Sequence, residues 1–180
     1  MATVDPNSPI ERSKDELLLR LYRYWSERRA DRPFPAPKEI DPANYAYAAE
    51  RVSLIEVHHD PLRFRYRFVA PQLTAHLGYD MAGMYVDEIP EPSMRQFARA
   101  CYERAVQRQT HFYEQGTVLI RLDEWWHETL VLPLATDSID ALLIYRNTVP
   151  PATVEGHTEG PPRIHVTPLA APKTTVRPGP

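Results

Sequence analysis

Residues 52–69 read VSLIEVHHDPLRFRYRFV. In the second half apolar and charged side chains alternate, so Phe64, Tyr66 and Phe68 point one way and Arg63, Arg65 and Arg67 the other. A period of two is the pattern of a β-strand with one covered face. VSLIEV precedes it, and Asp60–Pro61 between the two runs supplies turn chemistry. The stretch is therefore expected to fold as an antiparallel hairpin.

Towards the N-terminus the period changes to that of a helix. SKDELLLRLYRYWSERR places Leu17, Leu18, Leu21 and Trp25 at helical spacing, with Tyr22 and Tyr24 beside them. Ser13 and Glu16 have the spacing of a capping box, so a helix is expected over about residues 13–32. In RPFPAPKEIDP, Pro33, Pro35, Pro37 and Pro42 remove backbone donors, which predicts an extended connector. Towards the C-terminus, short helical turns are punctuated by Gly78 and Gly83. Ser93 and Gln96 suggest a second capping box, opening a helix to about Gln109 with Met94, Phe97, Ala98, Cys101 and Ala105 on one stripe. HFYEQGTVLIRL, WWHETLVLPLA and DALLIYRNTV then read as strands, with turns expected at Asp123–Glu124 and Asp137–Ser138. Five mostly antiparallel strands with helices in the middle connection make an α+β domain, and the long helix must cover one face of the sheet.

The chain has 180 residues, ordinary for one domain. Its abnormal feature is 19 Pro against 6 Gly, and eight of those prolines fall between Pro150 and Pro180. That stretch lacks Trp, Tyr and Phe, so it cannot bury enough apolar area to offset its ordering entropy. The expected organisation is a flexible N-terminus (1–12), a single domain (13–149) and a disordered Pro-rich tail (150–180). A lone Cys101 excludes an internal disulfide or a multi-cysteine zinc site and suits a reducing compartment. No apolar run approaches the roughly 18–20 residues that span a bilayer, and the N-terminus has no signal-peptide core. A cytoplasmic protein without membrane insertion is expected. Arginine is abundant, yet 24 Asp and Glu exceed 21 Lys and Arg. The arginines are therefore read as paired surface charges, not as a nucleic-acid surface.

Signatures of catalysis are missing: the sequence has no GxSxG, no HExxH and no phosphate-cradling glycine loop, and Cys101 sits mid-stripe without an activating neighbour. It reads as a structural thiol, and no catalytic residue is assigned. The histidines (His58, His59, His76, His111, His127, His157 and His165) do not have metal-ligand spacing.

In this order the motifs resemble those of the PAS superfamily. HLGYDMAGMYVDEI, residues 76–89, looks like its middle segment. The chain is most similar to a family of stand-alone PAS-like proteins of alphaproteobacteria, through Tyr24–Trp25, Ile40–Asp41–Pro42, Phe64–Val69, Leu77–Asp80 with Gly83, and Leu132–Pro133–Leu134. The resemblance implies a five-stranded antiparallel sheet with helices on one face, a small cavity between them, and an N-terminal amphipathic helix in front. It implies sensing, ligand binding or protein contact without turnover. No cofactor is recognisable: the residues lack a flavin signature, and a haem-sensing relative needs a histidine on the long helix, which Ser93–Gln109 lacks.

Candidate cavity residues are Phe64, Tyr66 and Phe68 on one strand, Phe97, Cys101 and Tyr102 on the helix, and His127. They either fill the core or line a site for a small apolar or amphipathic ligand. His127 points either inward, as a polar group among aromatics, or outward as an ordinary strand residue. The first helix is apolar over more than one stripe, so Leu17, Leu18, Leu21, Tyr22 and Trp25 are read as a candidate dimer interface, ahead of a helix fully docked on the domain. No output motif follows the core, so a signal is expected to leave through another signalling protein or a homodimer. The alternative is a receptor whose main role is ligand capture. An enzyme of unknown class rests only on unplaced histidines and carboxylates.

Overall fold

The computed structural model describes residue 10, residues 13–120 and residues 123–149. Helix α1 (Glu16–Arg29) comes first, then the hairpin β1 (Val52–His59) and β2 (Leu62–Phe68). Helices α2 (Pro71–Leu77) and α3 (Pro92–Arg108) follow, and β3 (Phe112–Ile120), β4 (Asp123–Ala135) and β5 (Ile139–Val149) close the domain. The strands form one sheet in the order β2-β1-β5-β4-β3, with every pairing antiparallel. This is the expected α+β architecture.

Its layers are more specific than one sheet with helices on one face. The inner face, carrying Ile55, Phe64, Tyr66, Val131, Leu142 and Ile144, is covered by α2 and α3. The outer face, carrying Tyr113, Leu130, Leu132, Leu134, Leu143 and Tyr145, is covered by α1. Because both faces are covered, residues 127–134 of β4 are buried in an unbroken run, without the alternation of a one-sided strand.

The β1–β2 hairpin forms around a cis Asp60–Pro61 bond. Its register runs evenly from His59↔Leu62 to Glu56↔Arg65 and Ile55↔Tyr66, then slips, so that Leu54 pairs with Phe68 and Arg67 is the extra residue of a bulge. One extra residue reverses the facing of everything beyond it. Ile55 and Tyr66 are fully buried beneath α3, whereas Phe68 goes to the side of Leu54 and is 47% exposed. The alternation that put Phe68 beside Phe64 and Tyr66 ends one residue too early for it.

Local boundaries also differ from the sequence reading. The N-cap of α1 is Asp15, whose carboxylate accepts from the Leu17 and Leu18 amides, while the Ser13 hydroxyl is drawn away to Glu128. Helix α3 begins with Pro92 after Glu91, ahead of the Ser93 position, because proline's missing donor is harmless in a first turn. The proline connector is not simply extended. It holds a 3-10 turn at Pro37–Glu39, and the Pro35 carbonyl accepts from the Ala135 amide at the end of β4. Asp123–Glu124 belong to β4, so the β3–β4 connection falls at residues 121–122, outside the described residues; Asp137–Ser138 do form the β4–β5 turn. The tail 150–180 and nearly all of 1–12 also lie outside the described residues. Among those described, no helix is long and apolar enough to cross a membrane.

Candidate functional site

Strand alternation places Trp125, His127 and Thr129 of β4 and Ile144, Arg146 and Thr148 of β5 on the face beneath α3. Opposite them, α3 contributes Met94, Phe97 and Cys101. Helix, strand and ring geometry therefore bring one polar cluster into an otherwise apolar layer.

His127 points inward. Its ring meets Phe97 edge-to-face at 4.8 Å, and its Nδ1 lies 3.0 Å from the Thr129 hydroxyl. The same hydroxyl accepts from Arg146 Nε at 3.3 Å. The Thr129 hydroxyl therefore bridges His127 and Arg146. Burial, and then the charge of Arg146, lowers the His127 pKa to about 4, so the ring is neutral at pH 7.

Arg146 is the residue the sequence reading missed. It is 5% exposed and its guanidinium lies over the Phe97 ring at 4.8 Å. Nη1 reaches only the Met94 thioether at 3.9 Å, and Nη2 has no hydrogen-bond partner. The signal was present in DALLIYRNTV, where the period of two puts Arg146 on the side of Leu142 and Ile144. Arg32–Glu39, Arg63–Asp87 and Arg99–Glu103 are the surface pairs expected for arginine here. Arg146 is not.

The remaining inner candidates pack into one another. Tyr66 and Tyr102 share a hydrogen bond of 3.0 Å between their hydroxyls, with Phe64 edge-on to Tyr102 at 5.6 Å. Cys101 donates to Glu114 at 3.0 Å, and Glu114 is also paired with Arg104. Burial and then the Glu114 charge push the Cys101 thiol well above its usual range, so the nucleophilic thiolate is disfavoured. Phe64, Tyr66, Phe97, Cys101, Tyr102 and His127 thus meet beneath α3, and Phe68 stands apart from them. A cavity of about 210 Å³ opens beside Phe64 and Val86, rimmed by Arg63–Asp87 and Arg99–Glu103. A larger one, about 560 Å³, lies on the outer side among Ile40, Tyr45, Leu54 and Leu134.

On the outer face, Leu18, Leu21, Tyr22 and Trp25 are buried against this chain's own sheet, and Leu17 is half-buried. The Trp25 indole donates to the Pro133 carbonyl at 3.0 Å. Two carboxylates that the sequence reading did not single out anchor the helix. Asp15 Oδ2 accepts from Arg51 at 3.0 Å, the Tyr145 hydroxyl at 2.8 Å and Asn147 at 3.1 Å. Glu128 Oε1, in a 5% exposed residue, accepts from Ser13, Tyr113 and Gln115. His111 packs on Trp25 at 4.9 Å, on the opposite face of the sheet from His127, so the two cannot ligate one group together. Among the described residues no group of three or more His, Cys, Asp or Glu is placed to hold a metal ion.

Comparison with models of known families gives one match, described as PAS domain, over residues 13–145. The chain belongs to the PAS domain family. The match takes in α1 and stops inside β5, one residue short of Arg146. No curated protein and no solved structure matches this PAS domain. Membership makes a sensory or regulatory role the family expectation and leaves the ligand and partner to this chain's own residues.

Proposed function

We propose that this PAS domain is a regulatory module that acts through contact with another signalling protein or a second copy, tuned by what binds beneath α3. The observation that carries this reading is the alternation along β4 and β5. His127, Thr129 and Arg146 face the cluster under α3, while their neighbours Glu128, Tyr145 and Asn147 hold the start of α1 on the other face. A shift of either strand on one side moves the anchor on the other, because packed interiors pass displacement on instead of absorbing it. The apolar stripe of α1 is the contact surface in this reading, and it becomes available when the helix leaves the sheet. The module binds and transmits without turnover. Membership of an alphaproteobacterial PAS-like family and a cytoplasmic location are part of the same proposal.

Asp15→Asn tests it, since asparagine still caps a helix but removes the charge that Arg51 and Tyr145 hold. The variant is expected to show faster amide exchange in α1 and stronger concentration-dependent self-association than the wild type by sedimentation velocity. An α1 that exchanges faster while the protein sediments as the wild type does would overturn a second copy as the partner of this surface. Unchanged exchange would overturn the anchor itself.

A further inference from the structure

Resting on the reading of a tuned interior beneath α3, we propose that this site takes a small organic monoanion, its carboxylate held by Arg146. A guanidinium carries five N–H donors. Here the acceptors are one hydroxyl at 3.3 Å and a thioether at 3.9 Å, and Nη2 has none. Among the described residues no carboxylate forms an ion pair with it; Glu114 of β3, one strand beyond β4, acts on it at longer range and is engaged by Arg104 and Cys101. A charge buried without a hydrogen-bonded ion-pair partner is a costly arrangement in a protein interior, and a bound anion relieves it.

The surroundings narrow the class. One unpaired cation calls for one negative charge, so a dianion is disfavoured. The Phe97 face beneath the guanidinium offers a flat apolar wall. Two residues before His127 on the same face of β4, Trp125 lies against His76 with the rings tilted and their centroids 4.5 Å apart, and neither the Trp125 indole N–H nor His76 Nδ1 has a partner. A guanidinium with a free N–H beside an aromatic ring suits a carboxylate with a short or planar apolar body. In the closed arrangement these groups pack on one another, so binding must part α3 from the sheet, which is the motion that the β4–β5 link would pass to α1.

The test is isothermal titration of the full chain at pH 7 with sodium benzoate and sodium acetate, against sodium chloride and phosphate at matched ionic strength. Wild type, Arg146→Lys and Arg146→Met are compared. Saturable binding of benzoate is expected in the wild type, weaker by about tenfold or more in Arg146→Met and intermediate in Arg146→Lys. Arg146→Met removes an uncompensated buried charge, so it is expected to fold and to melt higher than the wild type when no anion is added. Absence of saturable carboxylate binding, equal affinity in Arg146→Met, or equal binding of chloride would overturn the proposal. Titration reads the ligand site alone, so its outcome is independent of whether α1 mediates self-association.

Discussion

Tyr145 and Arg146, adjacent in β5, work on opposite faces of the sheet: the Tyr145 hydroxyl donates to Asp15 at the start of α1 at 2.8 Å, and the Arg146 guanidinium lies over Phe97 of α3 at 4.8 Å. A strand buried on both sides puts successive residues into different layers. In this domain one layer holds an uncompensated charge and the other holds the anchor of a helix.

Asp15→Ala removes the N-cap and leaves Arg51, Tyr145 and Asn147 without their shared acceptor. Loss of a cap costs about 1 kcal/mol, and loss of a charged hydrogen-bond acceptor adds about 1.5–3 kcal/mol. Denaturant unfolding should therefore show a loss of about 2.5–4 kcal/mol. A loss below about 0.5 kcal/mol, the range of an ordinary surface substitution, would show that the anchor carries no weight.

Stability should fall as the solution is acidified below about pH 6.5. His111 and His127 both have folded-state pKa values lowered to about 4, mainly by burial, against 6.5 when unfolded. Between those values the unfolded chain binds more protons, so each histidine's contribution is complete above pH 6.5 and lost as the pH drops towards 4. A shift of this size corresponds to about 3 kcal/mol per histidine. His127→Gln should flatten the profile by about one proton across this window, read from unfolding free energies at several pH values. A wild-type profile flat from pH 7 to 4.5 would contradict the buried neutral state.

Phe64→Ala and Phe68→Ala should separate sharply. Phe64 is 3% exposed and packs on Tyr102, whereas Phe68 is 47% exposed beyond the bulge. The first should cost about 3–5 kcal/mol and the second less than about 1 kcal/mol. Equal costs would mean that the β2 register continues without the bulge.

Cys101 should resist thiol reagents in the native protein and react at the rate of global unfolding. It is 4% exposed, and its proton is held by burial and by Glu114. Rapid stoichiometric labelling without denaturant would contradict this placement.

Much of the fold was legible because its signals are local. The alternation of FRYRF, the Leu17–Trp25 spacing and the Met94–Ala105 stripe each record which face an element buries. Phe68 was misplaced because a bulge is a property of the pairing of two strands, and nothing in residues 62–68 alone announces it. The position of α1 stayed open because a stripe shows that a helix is covered, not by what. Six of the seven cavity candidates come together because they share strand or helix faces. Arg146, Thr129, Asp15 and Glu128 escaped notice because polar residues are ordinarily solvated; the covering of both faces buries the three strand residues, and Asp15 is half-buried at the start of α1. Arg146 was visible in principle: its place two residues after Ile144 assigns it to an apolar face.

The account's central claim is that the cluster beneath α3 and the anchor of α1 are coupled through β4 and β5. Amide hydrogen exchange in the wild type and Arg146→Met, each with and without benzoate, measures this most directly. The account predicts that benzoate changes exchange in α1 (Glu16–Arg29) as well as in β4, β5 and α3, and that Arg146→Met abolishes both changes. Changes confined to α3, β4 and β5, with α1 unaltered, would contradict it.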